Sequence, residues 1–298
     1  MTAFVVPDVL VLAGGGVVGE AWMTGVLGGI EDGAGIEMAR VEAFVGTSAG
    51  AIVSARLAAG KPLRRPPDPA DAPEAVEDDR DSLLRTAARW GWAVTAPLAP
   101  VATAIAAPGG ALARAALLSR APTDGRSHAR LRSEVAGWGA RFDGRLRVCC
   151  VEKRSGRRAV FGAPGAPRAS VADAVAASCA IPWEFAPVRI DGREYVDGGV
   201  WSVTNLDAAP ARLDAQVLCL DPTAALTSPL RQALRVRTEL EVQILRRRGA
   251  RVRRVGPDAQ AAEAMGTDFM ASAPVTATLA AGYRQGRTLT HTPLVSSE

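Results

Sequence analysis

The chain alternates between short, unbroken apolar runs and longer stretches whose apolar positions recur at helical spacing. The first sixty residues show this clearly. A strand is predicted at "DVLVLA" (8–13), a helix from about Val17 to Glu31, a strand at "VEAFVG" (41–46) and a helix at "AGAIVSARLAAG" (49–60). Strands alternating with helices predict a mostly parallel α/β sheet covered by helices on both faces. The same pattern returns after about Gly144. There "RLRVCCVEK" and "RRAVFG" read as neighbouring strands, "SVADAVAASCA" as a helix, "EYVDGG" as a strand ending at a tight turn, and "AQVLCLDP" (215–222) as another buried strand. The remainder reads as mainly helical, including the basic run from Arg231 to Arg254.

Between the two sheet-forming regions the pattern breaks. "KPLRRPPDPADAPEAVEDD" (61–79) is proline-rich and charged, as an exposed linker would be. "WGWAVTAPLAPVATAIAAPGGALA" (90–113) carries no charge, but Pro97, Pro100 and Pro108 interrupt it. A packed helical cap is expected there, ahead of a lid that touches lipid or a membrane span. The expected organisation is one domain over 1–298 with a linker and helical cap inserted at about 61–125.

Composition adds few constraints. A hydrophobic share of 48% suits a large core, and a formal charge of +4 rests on arginine, since Lys61 and Lys153 are the only lysines. Such an excess is compatible with an anionic membrane surface. Without interleaved aromatics, the basic run from Arg231 to Arg254 does not point to nucleic acid. The basic run reads as a solvated helix and strand, with Arg235–Glu239 and Arg237–Glu241 spaced as i,i+4 pairs. Cys149, Cys150, Cys179 and Cys219 lack C-x-x-C spacing and read as small buried hydrophobes in a reducing compartment. With only two histidines, no zinc set is expected. The N-terminus runs into a core strand without a basic leader, so cytoplasmic residence is the expectation.

Two motifs carry candidate chemistry. "GTSAG" (Gly46–Gly50) is a G-x-S-x-G between a strand and a helix, the context of a nucleophile elbow that displays Ser48 at the carboxyl end of the sheet. "AGGGVVGEAW" also spells G-x-G-x-x-G. The following strand, however, ends "AFVGTSAG" without the acid that a dinucleotide ribose requires, and no Gly-Lys-Ser/Thr follows for a P-loop. In a parallel sheet this loop opens on the same edge as Ser48. Gly14, Gly15 and Gly16 could then aim backbone N–H groups at a carbonyl under attack. For the base, His128 falls at a helix start and His291 in the tail "RTLTHTPLVSSE". Asp197, in "EYVDGGVW", is displayed on a strand-end turn, although Asp-Gly is also a common turn dipeptide. Trp183 is a candidate lining of an acyl pocket. Asn205 either steadies the Asp197 turn or caps the next helix.

The three motifs in this order resemble the patatin-like phospholipases, whose serine and aspartate form a dyad without histidine. The resemblance covers "VLVLAGGGVVGEAWMTGVLGGIEDG", "VEAFVGTSAGAIVSARLAAG" and "VADAVAASCAIPWEFAPVRIDGREYVDGGVWSVTNLD". It implies Ser48 as nucleophile, Asp197 as base, and Gly14, Gly15, Gly16 and Gly19 as the oxyanion loop. It further implies a lipid or acyl-ester substrate and no cofactor or metal. The family usually carries a basic residue before the last loop glycine, where this chain has Val18. Two alternatives stay open: a Ser48–Asp197–His291 esterase, and a catalytically inactive lipid- or partner-binding module on the same scaffold.

Overall fold

The computed structural model describes residues 4–67, 110–225 and 229–291. In chain order its elements are β1 (Val9–Leu12), α1 (Gly16–Ala34), β2 (Ala43–Thr47), α2 (Ala49–Ala58), α3 (Ala111–Leu118), α4 (Ala129–Gly137), β3 (Leu146–Glu152), β4 (Arg158–Phe161), α5 (Val171–Ser178), β5 (Val188–Ile190), β6 (Arg193–Asp197), β7 (Gln216–Leu220), α6 (Pro229–Arg247), β8 (Arg251–Val255), α7 (Ala259–Met265) and α8 (Val275–Leu289). The strands join in one mixed sheet of order β5-β6-β3-β2-β1-β7-β8, with β4 also on β3. The β3–β2–β1–β7–β8 stretch is parallel, while β4 and β6 run antiparallel to β3.

The period-2 pattern divides the core in two. Leu10, Leu12, Phe44, Val148, Cys150, Leu218 and Leu220 face α1, α2 and α5. Val9, Val11, Val45, Cys149, Val217 and Cys219 face the other way, toward Leu206 and α6 residues Val242 and Leu245. Burial on both faces explains why β1 is apolar at every position rather than at alternate ones. All four cysteines are buried free thiols.

α1 is buried along most of its length because α8 lies against it at backbone contact. A methyl group on Gly25 would land on the carbonyl oxygen of Leu279, and one on Gly29 on that of Tyr283. From the other side, Gly282 and Gly286 meet the carbonyls of Trp22 and Val26. Two glycines four apart on each helix thus make one seam.

Three expectations need comment. In the mainly helical tail the basic run is expected as helix and strand, and Arg251–Val255 forms a strand that extends the sheet beside β7, its exposed and half-exposed arginines suiting an edge. The Arg237–Glu241 pair is not a solvated one: Glu241 is fully buried and accepts a hydrogen bond from Arg237 Nε at 3.0 Å. The helical cap falls largely on residues 68–109, outside the described residues; of the 61–125 region, the 61–67 loop and the segment holding α3 are described. Among the described residues no helix is long and apolar enough to cross a membrane.

Candidate active site

β3 brings the two candidate catalytic side chains together. A strand has two edges, and β4 occupies one of them, pairing with Val148 through Val151. The other edge is shared. β2 holds its first half, with Thr47 opposite Cys149, and β6 arrives from the opposite direction, with Asp197 opposite Cys150. β2 and β6 therefore meet end to end, so Ser48, just past β2, and Asp197, at the end of β6, face each other across one residue step of β3.

The elbow is built as its sequence suggested. Ser48 takes φ 52°, ψ −122°, a conformation that costs a non-glycine residue energy and projects the side chain off the strand. A side chain at Gly46 would come within 2.5 Å of the Ala51 Cα, and one at Gly50 would strike the carbonyl of Leu12. The aspartate turn is equally tight, since a side chain on Gly198 would strike the carbonyl of Cys149.

Asp197 Oδ1 accepts the Gly199 N–H at 2.6 Å, and the neighbouring Ser48 side chain also favours the charged carboxylate. Burial dominates over these two stabilising influences and lifts the Asp197 pKa to about 6. This aspartate is thus a much better match for proton transfer near neutral pH than an ordinary one. The neighbouring Cys179 thiol is pushed well above its usual range by burial first and by the Asp197 charge second, so it stays neutral.

Backbone bonding sorts the glycine loop. Gly14 lies against the serine, since a methyl group on it would be 3.5 Å from the Ser48 Cβ, and its N–H donates to the Val203 carbonyl at 2.8 Å. The Gly19 N–H donates to the Gly15 carbonyl at 2.8 Å, inside α1. Gly15 and Gly16 are half-exposed, and neither N–H has a backbone acceptor among the described residues. Gly16, at φ +59°, makes the sharp turn into α1. The N-termini of α1 and α2 converge on Ser48, and neither has an acidic residue in its first turn. The two dipoles favour negative charge there.

His291 lies elsewhere. Its neighbour Thr290 packs on Gly33, near the C-terminal end of α1, whereas Ser48 sits by the N-terminal end. At the α-helical rise, roughly 25 Å of helix separates them. That placement removes His291 from the reach of Ser48. His128 stacks on Phe185 and sits 2.9 Å from the Cys179 carbonyl through Nε2; burial lowers its pKa. Among the described residues no group of three or more His, Cys, Asp or Glu side chains could hold a metal ion.

The sequence model of the patatin-like phospholipase family matches residues 10–210, more than half of the chain and the whole of this site. The chain belongs to the patatin-like phospholipase family. Among solved structures it is similar to VipD from Legionella pneumophila, at 15% identity and a TM-score of 0.43, over 97% of this chain and 67% of VipD. No curated protein sequence matches it.

Within this patatin-like site, Val18 departs from the family's usual basic residue. Its side chain is fully buried among core residues, where a cation would have to be desolvated. Trp183 stands 42% exposed, in a left-handed backbone conformation. Asn205 makes no side-chain cap; its amide reaches the Gly198 carbonyl at 3.3 Å and Thr47 Oγ1 at 3.1 Å. Sequence reasoning missed Ser178. Its hydroxyl accepts the Ser48 N–H at 2.9 Å and donates to the Cys149 carbonyl at 2.7 Å, pinning the elbow to β3. A serine at the end of the apolar run "VADAVAAS" was the available signal.

Proposed function

We propose that this patatin-like protein is a lipid acyl hydrolase that works through a Ser48–Asp197 dyad. The observation that carries the reading is an elbow serine and a buried aspartate of raised pKa set at the ends of strands that pair with adjacent residues of β3. Asp197 takes the hydroxyl proton as Ser48 Oγ attacks the ester carbonyl. The oxyanion then forms under the N–H groups of Gly15 and Gly16, while Gly14 and Gly19 shape the loop that presents them. Collapse breaks the ester bond, and the proton on Asp197 passes to the leaving alcohol. Asp197 next takes a proton from water, which attacks the acyl-serine and releases the fatty acid, returning the proton to Ser48.

Family membership supports a lipid substrate. For peripheral contact we propose the α6–β8 side, where exposed Val236, Leu240 and Ile244 recur at four-residue spacing beside Arg246, Arg247, Arg248 and Arg251. The test compares hydrolysis of p-nitrophenyl esters and of phospholipid vesicles by wild type, Ser48→Ala and Asp197→Ala. Wild-type turnover lost in both variants is the expected result. A wild type that neither hydrolyses these substrates nor reacts with a fluorophosphonate at Ser48 overturns the reading in favour of a binding module.

A further inference from the structure

One buried segment, Ser202–Leu206, touches all three parts of the site. Its Val203 carbonyl accepts the Gly14 N–H at 2.8 Å, which fixes the glycine loop. Its Asn205 amide donates to Thr47 Oγ1, on the residue before the nucleophile, and to the carbonyl of Gly198, on the residue after the aspartate. The same amide reaches the Ser202 carbonyl at 2.5 Å, so the segment is tied to itself as well. Asn205 is fully buried at φ 47°, a left-handed conformation that asparagine adopts more readily than most side chains.

The segment is in turn held from two sides. Glu241, fully buried on α6, accepts the Thr204 hydroxyl at 2.7 Å and the Leu206 N–H at 2.8 Å through one carboxylate oxygen, and Arg237 through the other. Arg158, on β4, reaches Asn205 Oδ1 at 3.2 Å and grips Asp207 with two hydrogen bonds of 2.5 and 2.9 Å. A surface loop would not justify burying this many charged groups, because each is costly to desolvate and must be matched by several bonds.

We infer that Ser202–Leu206 is the positioning brace of the dyad, with Asn205 its key residue and Glu241 its anchor on α6. The inference rests on the Ser48–Asp197 reading. Asn205 touches neither substrate nor reacting atoms; it ties together the two turns that carry the serine and the aspartate and so limits their rotation against each other. Because the same segment holds Gly14, it also sets the glycine loop against that pair. A dyad has no third side chain to orient its base, so a misplacement of the order of 1 Å, which can cost about 10²-fold in rate, must be prevented by the backbone around it.

Two variants separate positioning from folding. Asn205→Gly keeps the left-handed backbone without strain and removes only the side chain. Glu241→Gln keeps an acceptor for Thr204 and Leu206, whereas Glu241→Ala removes it. Fluorophosphonate labelling of Ser48, kcat and KM for a p-nitrophenyl ester, and amide exchange at Gly14 and Gly199 would be measured on folded samples. Asn205→Gly and Glu241→Ala should lower kcat and the labelling rate by about 10²-fold with KM little changed. Both should speed exchange at Gly14 and Gly199, and Glu241→Gln should recover most of the loss. A labelled wild type with an equally reactive Asn205→Gly, or faster exchange without loss of kcat, would overturn the brace alone. An unlabelled, inactive wild type would overturn the dyad and the brace together.

Discussion

Replacing Asp197 with asparagine should destroy activity and stabilise the fold. The aspartate titrates at about 6 in the native protein, chiefly because of burial, against an ordinary value of 3.8. Between those values the native state binds a proton that the unfolded state has released, so stability falls as pH rises through that window. Below about pH 3 the carboxyl is neutral in both states and contributes no pH dependence. Above about pH 7 it is ionised in both, and the fold carries the full penalty. A displacement of roughly two pH units corresponds to about 3 kcal/mol. Asparagine keeps an oxygen for the Gly199 N–H and never ionises. Its own amide adds an offset that does not vary with pH. Urea denaturation of both proteins at about pH 3, 6 and 8 should show Asp197→Asn gaining on wild type by about 3 kcal/mol between the ends of the series. The same ionisation should appear as an acid limb near pH 6 in wild-type kcat/KM, with activity rising as pH rises. A stability difference that does not change with pH would refute the argument, for Asp197 would then be solvated and no stronger a base than any surface carboxylate.

Other outcomes follow from packing and placement. His291→Ala should leave kcat/KM for a p-nitrophenyl ester within about twofold of wild type, since the residue lies at the far end of α1; a collapse of activity would restore the histidine triad. Gly29→Ala drives a methyl group into the Tyr283 carbonyl and should cost at least about 1–3 kcal/mol in urea denaturation. Gly35→Ala meets nothing within 4 Å, though at φ +66° it should cost about 1 kcal/mol; equal losses would mean that the α1–α8 seam can relax. Ser178→Ala removes the acceptor of the buried Ser48 N–H and should cost about 1–3 kcal/mol while slowing fluorophosphonate labelling; unchanged stability and labelling would show that the elbow stands without it.

The sequence made the strands, the elbow and the aspartate turn legible because each depends on local chemistry. Apolar runs declare strands buried on two faces, and paired glycines declare close backbone approach at Ser48 and Asp197. The missed features are all non-local. Glu241 and Arg237 look like a surface i,i+4 pair until the Ser202–Leu206 segment is laid over them. Ser178 looks like a small helix residue until the Ser48 N–H is found on its hydroxyl. The loop motif names four glycines, but which N–H groups are left for an oxyanion depends on Val203, nearly two hundred residues away in the chain. Asn205 was ambiguous for the same reason, since capping is local and bridging is not.

The shared edge of β3 gives the physical reason why the proposed dyad needs no third side chain. A histidine triad commonly takes its base and its orienting acid from separate loops, so a third group is needed to hold the imidazole in place. Here Ser48 and Asp197, the proposed nucleophile and base, stand at the ends of two strands that both pair with adjacent residues of a third. Their separation is set by the spacing between Cys149 and Cys150, the stiffest dimension in a sheet. What the sheet does not fix is rotation of the two turns about that edge. The Asn205 amide, spanning Thr47 and Gly198, lies across that remaining freedom. In the proposed dyad, backbone geometry thus takes over the orienting work of the third side chain, and burial of Asp197 supplies the basicity that an imidazole would have brought.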